Sequence, residues 1–322
     1  NMKCRICNNE KGNKEFKVKE MMFGFGDVFD YFQCASCNCL QIKEIPKNIS
    51  KYYSKDYYSF NIFPNDCGHN IRKVIKFFKD YYAVFNKGLI GKVVYNKIPN
   101  EALRSLSKIK LSKESKILDV GCGSGYLLFF LKSIGFKNLL GIDPYIKEDI
   151  NYKNGLKIFK KTINDINNKF DLIMFHHSFE HISNPLEMLY SSNKLLSDNG
   201  VCLIRIPVVD SWAWENYGVN WVQIDAPRHF FLHSRKSMEI LAKSAGFRIK
   251  EIVCDSTEFQ FWGSEQYKKD IPLNSDNSYS VNPSKSIFSK EKIRAFKEKS
   301  QKLNLESRGD QAVFYLEKNF KK

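Results

Sequence analysis

The strongest constraint on the fold of this chain is a strand that runs into three alternating glycines. Residues 117–126 read Ile-Leu-Asp-Val-Gly-Cys-Gly-Ser-Gly-Tyr, and an apolar helical pattern follows them. Glycine lets the backbone turn sharply and approach a ligand closely, and the N–H groups of a first helical turn point outward. The G-x-G-x-G spacing differs from the G-x-G-x-x-G of dinucleotide-binding loops. The pattern predicts a strand–loop–helix unit of an α/β fold with a ligand at the loop.

An acidic residue after the next strand indicates what kind of ligand the loop would bind. Residues 139–142 form a second apolar strand that ends in Asp143. An acid about 20 residues beyond a glycine loop accepts hydrogen bonds from the hydroxyls of a ribose. The alternative is an ordinary glycine-containing turn between a strand and a helix. Asp143 favours a nucleoside-type cofactor over that alternative.

Residues 118–125 resemble the first motif of class I S-adenosylmethionine (SAM)-dependent methyltransferases. The resemblance covers roughly residues 111–316 and implies a doubly wound, seven-stranded, mostly parallel α/β sheet (a Rossmann-like fold). It implies that SAM lies against the glycine loop. Its methionine ammonium would lie near Asp119, its ribose would bind Asp143, and its adenine would lie at the loop that contains Thr162 and Ile163. The residues so implied are Asp119, Gly121, Gly123, Gly125, Asp143, Thr162 and Ile163. Thr162 stands where many family members have Asp, so Asp165 is an alternative contact for the adenine.

Two C-x-x-C pairs in the first forty residues predict a small metal-binding module. Cys4, Cys7, Cys34 and Cys37 have the spacing of a zinc ribbon, in which four thiolates bind one structural Zn²⁺. Cys39 could replace Cys37 as a ligand. Disulfides would suit a secreted protein, and a thioredoxin-type pair would need only one C-x-x-C. We therefore expect zinc.

The order of these patterns along the chain predicts four consecutive parts. Residues 1–60 form the zinc-ribbon-like module, and residues 61–112 form a helical linker or lid. Residues 113–255 form the SAM-binding domain, and residues 256–322 form an extension that completes the sheet. Apolar residues at helical spacing between residues 70 and 86 support the second part.

The fourth and fifth predicted strands lie at residues 170–175 and 201–206, and histidines, acids and a tryptophan follow them. Open α/β sheets bind their ligands at these strand ends. Histidine accepts a proton near neutral pH, so His229 is the first candidate for a catalytic base and His181 the second. Aromatic rings stack on sugars, and charged groups orient hydroxyls or phosphates. The candidate substrate residues are Trp221, Asp225, Arg228 and His177.

These residues also have plainer explanations. Glu180 and His181 could only shape a pocket floor, and the histidines could bind a metal ion. Asp225 and Arg228 could form an ion pair that fixes a loop.

The sequence Asp-Ala-Pro-Arg-His at residues 225–229 resembles a methyltransferase subgroup associated with surface-glycan and natural-product sugar pathways. The resemblance implies methylation of a sugar or sugar-nucleotide oxygen by in-line displacement at the sulfonium. A zinc module before such a domain also resembles ribosomal RNA base methyltransferases. A third alternative, from another class, is a non-catalytic docking partner.

Composition separates some of these alternatives. The net charge is +16, but only nine of the 51 basic residues are Arg, the better reader of phosphates and bases. This disfavours a nucleic-acid partner and leaves a small-molecule or glycan acceptor. No apolar run reaches membrane-spanning length, and no apolar signal core is evident, so we expect a cytoplasmic protein. The predicted helices before the sheet could also form a homodimer surface.

Overall fold

A computed structural model describes residues 2–53 and 70–320 of the chain, except for the side chains of Asn70 and Ile71. The described residues form twelve strands and nine α-helices. The strands are β1 (Lys14–Lys19), β2 (Val28–Gln33), β3 (Leu40–Ile42), β4 (Lys116–Val120), β5 (Asn138–Ile142), β6 (Ile150–Asn151), β7 (Lys157–Phe159), β8 (Phe170–His176), β9 (Leu196–Pro207), β10 (Phe231–Leu232), β11 (Phe247–Cys254) and β12 (Gln311–Lys318). The helices are α1 (Asn70–Phe85), α2 (Leu89–Lys97), α3 (Glu101–Arg104), α4 (Tyr126–Ser133), α5 (Pro185–Leu195), α6 (Trp212–Tyr217), α7 (Arg235–Ser244), α8 (Phe259–Tyr267) and α9 (Lys290–Leu305).

Two compact units account for the chain, and neither is one continuous segment. The first unit comprises Asn1–Tyr53, Phe179–Glu187 and Arg205–Phe314, and the second comprises Ser54–Ser178, Met188–Ile204 and Tyr315–Lys322. This division differs from the four consecutive parts expected from the sequence. The difference arises because segments that are far apart along the chain pack into the same unit. The expected boundary at residue 60 lies outside the described residues.

A four-stranded sheet with the order β1-β2-β3-β10 lies in the first unit. Phe16 pairs with Tyr31 and Phe32 pairs with Gln41, so β1, β2 and β3 form an antiparallel meander. Phe231 of β10 then pairs with Gln41 of β3. This pairing joins the cysteine-bearing N-terminal segment to a strand near residue 230 within the first unit.

The strands around the glycine loop form a parallel sheet in the second unit. β4 pairs in parallel with both β5 and β8, and β5 pairs in parallel with β7. Ile117 and Leu118, which are adjacent in β4, are both fully buried. A parallel strand covered on both faces has such a continuous apolar run, and the sequence signal was strong for this reason.

The larger sheet contains eight strands, not the seven expected, in the order β11-β12-β9-β8-β4-β5-β7-β6. The additional strand is β6, which pairs antiparallel with β7 through only two residues. Four of the eight strands, β4, β5, β8 and β9, coincide with strands that the sequence analysis predicted before the candidate site residues. A two-residue edge strand has no periodicity of its own, so the sequence pattern could not indicate it.

In the described part of the chain, three α-helices precede β4. α1 covers nearly the segment predicted from its spacing, and α3 continues as a 3-10 helix over Ser105–Lys108. Among the described residues, we find no helix that is both long enough and apolar enough to cross a bilayer. A role of these helices as a lid remains a prediction.

Candidate functional site

The glycine loop between β4 and α4 is built for backbone contact with a ligand. Gly121, Gly123 and Gly125 all have positive φ, at 71°, 55° and 83°. A Cβ atom on Gly121 would lie 2.6 Å from the Cβ of Ser178, and one on Gly125 would overlap the Ile158 side chain. Both the dihedral angles and the lack of space therefore require glycine here. The result is a turn at the N-terminus of α4 in which three of the five residues have no side chain.

Two buried acids flank this loop. Asp143 lies directly after β5, where its Oδ2 accepts a hydrogen bond from the Gly123 N–H at 2.9 Å and its Oδ1 accepts one from Tyr145 N–H at 2.8 Å. Burial raises the pKa of the Asp143 carboxyl. Burial, followed by the nearby Asp143 charge, raises the pKa of Asp119 to about 8.

A bound cation would lower the raised pKa values of Asp119 and Asp143, because a positive charge nearby favours the ionised carboxylate. SAM has an ammonium and a sulfonium group, and its ribose would present hydroxyls to the acid after β5. Asp119, Asp143 and the glycine loop therefore fit this cofactor.

The loop predicted to hold the adenine has a local structure of its own. Thr162 precedes the 3-10 helix Ile163–Asp165, and its backbone N–H and its Oγ1 both donate to Asp165 Oδ2 at 2.8 Å. Hydrogen bonds from Thr162 lower the pKa of Asp165. Asp165 thus caps its own loop, which does not favour it as the alternative adenine contact. Ile163 is buried, and all seven predicted cofactor residues belong to the second unit.

In the first unit, the four predicted cysteines converge. Cys4 Sγ lies 3.6 Å from Cys37 Sγ, and Cys7 Sγ lies 3.5 Å from Cys34 Sγ. Four sulfurs around one tetrahedral Zn²⁺ are about 3.8 Å apart when each Zn–S bond is about 2.3 Å. The ligand atoms of all four lie within 4.8 Å of one another, and Cys39 is not part of the group. The cysteines therefore fit a zinc ion, with Cys37 and not Cys39 as the fourth ligand.

Hydrogen bonds to sulfur support the same fit. The Ile6 N–H donates to Cys4 Sγ at 3.4 Å, and Gln41 Nε2 donates to the same sulfur at 3.2 Å. A hydrogen bond from the Cys37 thiol lowers the pKa of the Cys4 thiol to about 4. The thiolate is the form of cysteine that binds metal.

His181 and His229, the two candidate bases, lie side by side in the first unit. Their ring centroids are 4.7 Å apart. His181 Nδ1 lies 2.8 Å from the carbonyl oxygen of Arg228, and His229 Nδ1 lies 2.7 Å from that of Gln223. A carbonyl only accepts, so each Nδ1 carries a hydrogen and each Nε2 keeps a lone pair when the ring is neutral.

Two carboxylates face the His229 lone pair. Nε2 of His229 lies 3.8 Å from Glu180 Oε1 and 3.8 Å from Asp225 Oδ2. Burial, followed by the neighbouring His229, lowers the pKa of His181 to about 4. Burial raises the pKa of Asp225, but the charge and hydrogen bonds of Arg228 outweigh it and bring that pKa below its usual value. The pair therefore combines the neutral imidazole of His181 with the nearby negative charge of Asp225.

The same cluster also offers ligand atoms for a metal ion. Glu180, His181 and His229 place three such atoms within 4.8 Å of one another. Two ligands of a tetrahedral zinc ion at bond lengths of about 2.1 Å would be about 3.4 Å apart. The 3.8 Å between His229 and Glu180 is longer, so this cluster fits a metal ion less well than the cysteines do.

Arg228 and Trp221 do not have the positions that substrate contacts need. Arg228 is fully buried; its Nε and Nη2 donate to Asp225, its Nη1 donates to the Tyr52 carbonyl, and its Nη2 also reaches Glu20 at 2.8 Å. Trp221 is fully buried as well, and its Nε1 donates to Asp310 at 2.9 Å. The structure thus favours the ion-pair alternative for Asp225 and Arg228. Substrate binding by Arg228 and Trp221 stays a prediction that their burial disfavours.

Three further residues complete this description. His177 follows β8 with a positive φ of 51°, is half-buried and belongs to the second unit. Glu20 and Glu180 were not among the predicted site residues. Glu180 could have been found from its position before His181, whereas nothing around Glu20 in the sequence marks it as the partner of Arg228.

Comparisons with known proteins indicate the class of this protein. Residues 95–252 match a family model described as a methyltransferase domain, just under half of the chain. The chain therefore contains a methyltransferase domain and is an enzyme. No curated protein sequence matches it.

Several solved structures resemble the chain at low identity. The mycolic acid cyclopropane synthase CmaA1 in complex with SAH and CTAB is 16% identical, with a TM-score of 0.45, and the match covers 86% of this chain and 100% of that one. The cyclopropane synthase MmaA2 from Mycobacterium tuberculosis is 14% identical, with a TM-score of 0.43 and coverage of 78% and 99%. A SAM-dependent methyltransferase from Archaeoglobus fulgidus is 21% identical, with a TM-score of 0.39 and coverage of 64% and 86%. Scores this low carry no argument about the acceptor.

Proposed function

We propose that this methyltransferase transfers a methyl group to a hydroxyl oxygen of a sugar or sugar nucleotide, and that His229 removes the hydroxyl proton. An alcohol has to lose its proton as its oxygen attacks a methyl group, so O-methylation benefits from a base beside the acceptor. The observation that carries the proposal is the His181–His229 pair, in which each Nδ1 lies against a backbone carbonyl, so that the neutral ring has its lone pair on Nε2.

The surroundings of the pair favour His229 over His181 as the base. Protonation of His229 Nε2 would place a positive charge 3.8 Å from both Glu180 and Asp225, which stabilise it. His181 has a pKa of about 4 and is a weaker base. We assign to His181 the orientation of the acceptor hydroxyl, together with the Tyr53 hydroxyl, which lies 3.1 Å from His181 Nδ1.

The cofactor would be held by the residues around the glycine loop. Bound SAM supplies an electrophilic methyl group. Asp119 and Asp143 would orient its ammonium and ribose groups, while Thr162 and Ile163 would border the adenine. The sugar assignment rests on the resemblance of residues 225–229 to enzymes of sugar pathways, with His177 as a further candidate contact.

Label transfer tests the proposal. The protein is incubated with methyl-labelled SAM and an extract of the source cell, and the products are separated into RNA, sugar nucleotides and glycans. We expect label in the sugar fractions. His229→Gln should reduce it by about a hundredfold or more, the range that general-base catalysis supplies, while SAM affinity stays unchanged. Label in nuclease-sensitive RNA would instead favour the RNA base methyltransferase.

Three subsidiary assignments accompany this function. We propose that the four cysteines hold a structural zinc ion with no part in catalysis. The described cysteines are free thiols, which are typical of the reducing cytoplasm, and we propose that location. A homodimer stays a prediction, which sedimentation of the purified protein would test.

A further inference from the structure

The hairpin formed by α1 and α2 exposes an unusual number of large apolar side chains. Leu89, Ile90 and Val93 of α2 are 84%, 62% and 59% exposed. Val74, Ile75 and Phe78 of α1 are also exposed. Single exposed apolar residues are common on proteins, but several on adjoining helices are characteristic of an interaction surface. We call these six residues the hairpin patch.

Helical geometry places the α2 residues of the hairpin patch on the outer side of the hairpin. Gly91 packs so closely on the Phe78 carbonyl that a Cβ there would overlap it, so Gly91 marks the side of α2 that faces α1. At 100° per residue, Leu89, Ile90 and Val93 point away from that side. On α1, Asp80, Ala83 and Val84 are buried, and Val74, Ile75 and Phe78 lie on the opposite face. α2 packs on that face at the Phe78 carbonyl, and these three side chains stay partly exposed beside it.

The charge around the hairpin patch is of one sign. Residues 70–98 contain seven basic residues and a single acid, Asp80, which is fully buried. Lys87, Lys92 and Lys97 of this segment are exposed next to the patch residues of α2. The chain as a whole has 51 basic and 35 acidic residues, so this segment is far more one-sided than the chain.

The exposed lysines and the apolar side chains of the hairpin patch together favour one kind of binding partner. A second copy of the chain would bring the same lysines against these, which like-charge repulsion disfavours. A nucleic acid would pair with the lysines but would leave Leu89, Ile90 and Val93 without an apolar partner. An anionic bilayer offers both headgroup charge and an acyl boundary, and helices with basic and apolar surfaces bind in that plane.

We propose that the hairpin patch docks this enzyme on the surface of an anionic lipid membrane. Leu89, Ile90 and Val93 would enter the headgroup–acyl boundary, and Lys87, Lys92 and Lys97 would contact anionic headgroups. The contact is peripheral and does not depend on the identity of the methyl acceptor.

Vesicle flotation of the full chain tests this proposal. We expect the protein to float with phosphatidylcholine vesicles that contain phosphatidylglycerol and not with phosphatidylcholine alone. Salt should weaken the interaction, because the exposed lysines are screened. Leu89→Ser should weaken binding about tenfold or more, the loss expected when a buried leucine side chain is removed.

Leu305→Ser is the matched control, because Leu305 is 88% exposed at the end of α9 and carries no part of the hairpin patch. It should float like the unchanged protein, and both variants should keep their SAM affinity and melting temperature. The proposal is overturned if the protein does not float, or if Leu89→Ser and Leu305→Ser behave alike. It is also overturned if Leu89→Ser only converts a dimer into a monomer, since the patch would then be a subunit interface.

Discussion

At Gly121, backbone conformation and lack of space act together, and substitution can separate them. Gly121→Ala introduces a Cβ at positive φ and 2.6 Å from Ser178, whereas Gly155→Ala has a similar φ of 81° and no atom within 4 Å. Left-handed backbone costs about 1–2 kcal/mol for a residue with a Cβ, and overpacking adds about 1–3 kcal/mol. We expect Gly121→Ala to lower stability more than Gly155→Ala and to weaken SAM binding, measured by urea unfolding and calorimetry. Equal effects of the two substitutions on binding would contradict the assignment of the loop.

The pKa of Asp119 predicts a proton change on cofactor binding. Folding raises this pKa from 3.8 to about 8, so the folded protein without cofactor holds a proton there between these values, and this residue's contribution to stability falls as pH rises through that window. A cationic ligand favours the ionised carboxylate. Below about pH 8, SAM binding should therefore release a proton, and affinity should rise with pH. Calorimetry in buffers of different ionisation enthalpy would detect it, and Asp119→Asn should abolish it. An unchanged proton release in Asp119→Asn would exclude Asp119 as its source.

At the scale of residues, the sequence predicts a role when the residues that define it are close together in the chain. The cysteine spacing and the glycine spacing are local, and the geometry around both agrees with them. The roles of Arg228 and Trp221 depend on Glu20 and Asp310, which lie far away in the sequence. A polar residue near a candidate pocket looks the same in a sequence whether it faces a ligand or a buried partner.

At the scale of elements, the ion pairs of Arg228 hold two distant loops of the first unit together. Removing one partner of a buried ion pair typically costs about 3–5 kcal/mol because the other charges stay buried. Arg228→Ala leaves the charges of Glu20 and Asp225 buried without their partner. We therefore expect the free energy of unfolding, measured with urea, to fall by about 3–5 kcal/mol. Arg294→Ala breaks the exposed pair with Glu298 and should cost about 0.3–0.5 kcal/mol. If Arg228→Ala instead binds the acceptor more weakly and keeps its stability, Arg228 contacts the acceptor and the structural role is wrong.

The zinc ion should stabilise the sheet β1-β2-β3-β10, because the cysteines lie in the turns before β1 and between β2 and β3. Structural zinc sites contribute about 10 kcal/mol or more to folding in small peptides. We expect one zinc ion per chain by elemental analysis, its loss in Cys37→Ser, and a lower melting temperature after chelation. Cys39→Ser is the control, and it should keep its zinc. The reverse result for the two variants would make Cys39 the fourth ligand.

Helices and strands could be predicted where their apolar residues repeat at helical spacing or form a continuous run. The strands β4, β5 and β8 were identified because their apolar runs are bounded by turns and glycines, and α1 because its apolar residues repeat at helical spacing. The two-residue strands β6 and β10 carry no such signal. The pairing of β10 with β3 could not be predicted either, because register between segments about 190 residues apart depends on tertiary packing.

At the scale of the whole molecule, the sequence order of motifs does not reproduce the two units. The methyltransferase class and its cofactor followed from one motif, whereas the division of the chain depends on long-range pairing. The cofactor residues belong to the second unit and the His181–His229 pair belongs to the first.

The bond formed to the transferred methyl group is the most direct test of the account. The measurement is carbon-13 NMR of the product made with methyl-carbon-13-labelled SAM, since the chemical shift of a methyl group differs between oxygen, nitrogen and carbon. The account predicts a methyl ether on a sugar, and no such signal from His229→Gln. A methyl group bonded to nitrogen or carbon, or an undiminished signal from His229→Gln, would contradict it.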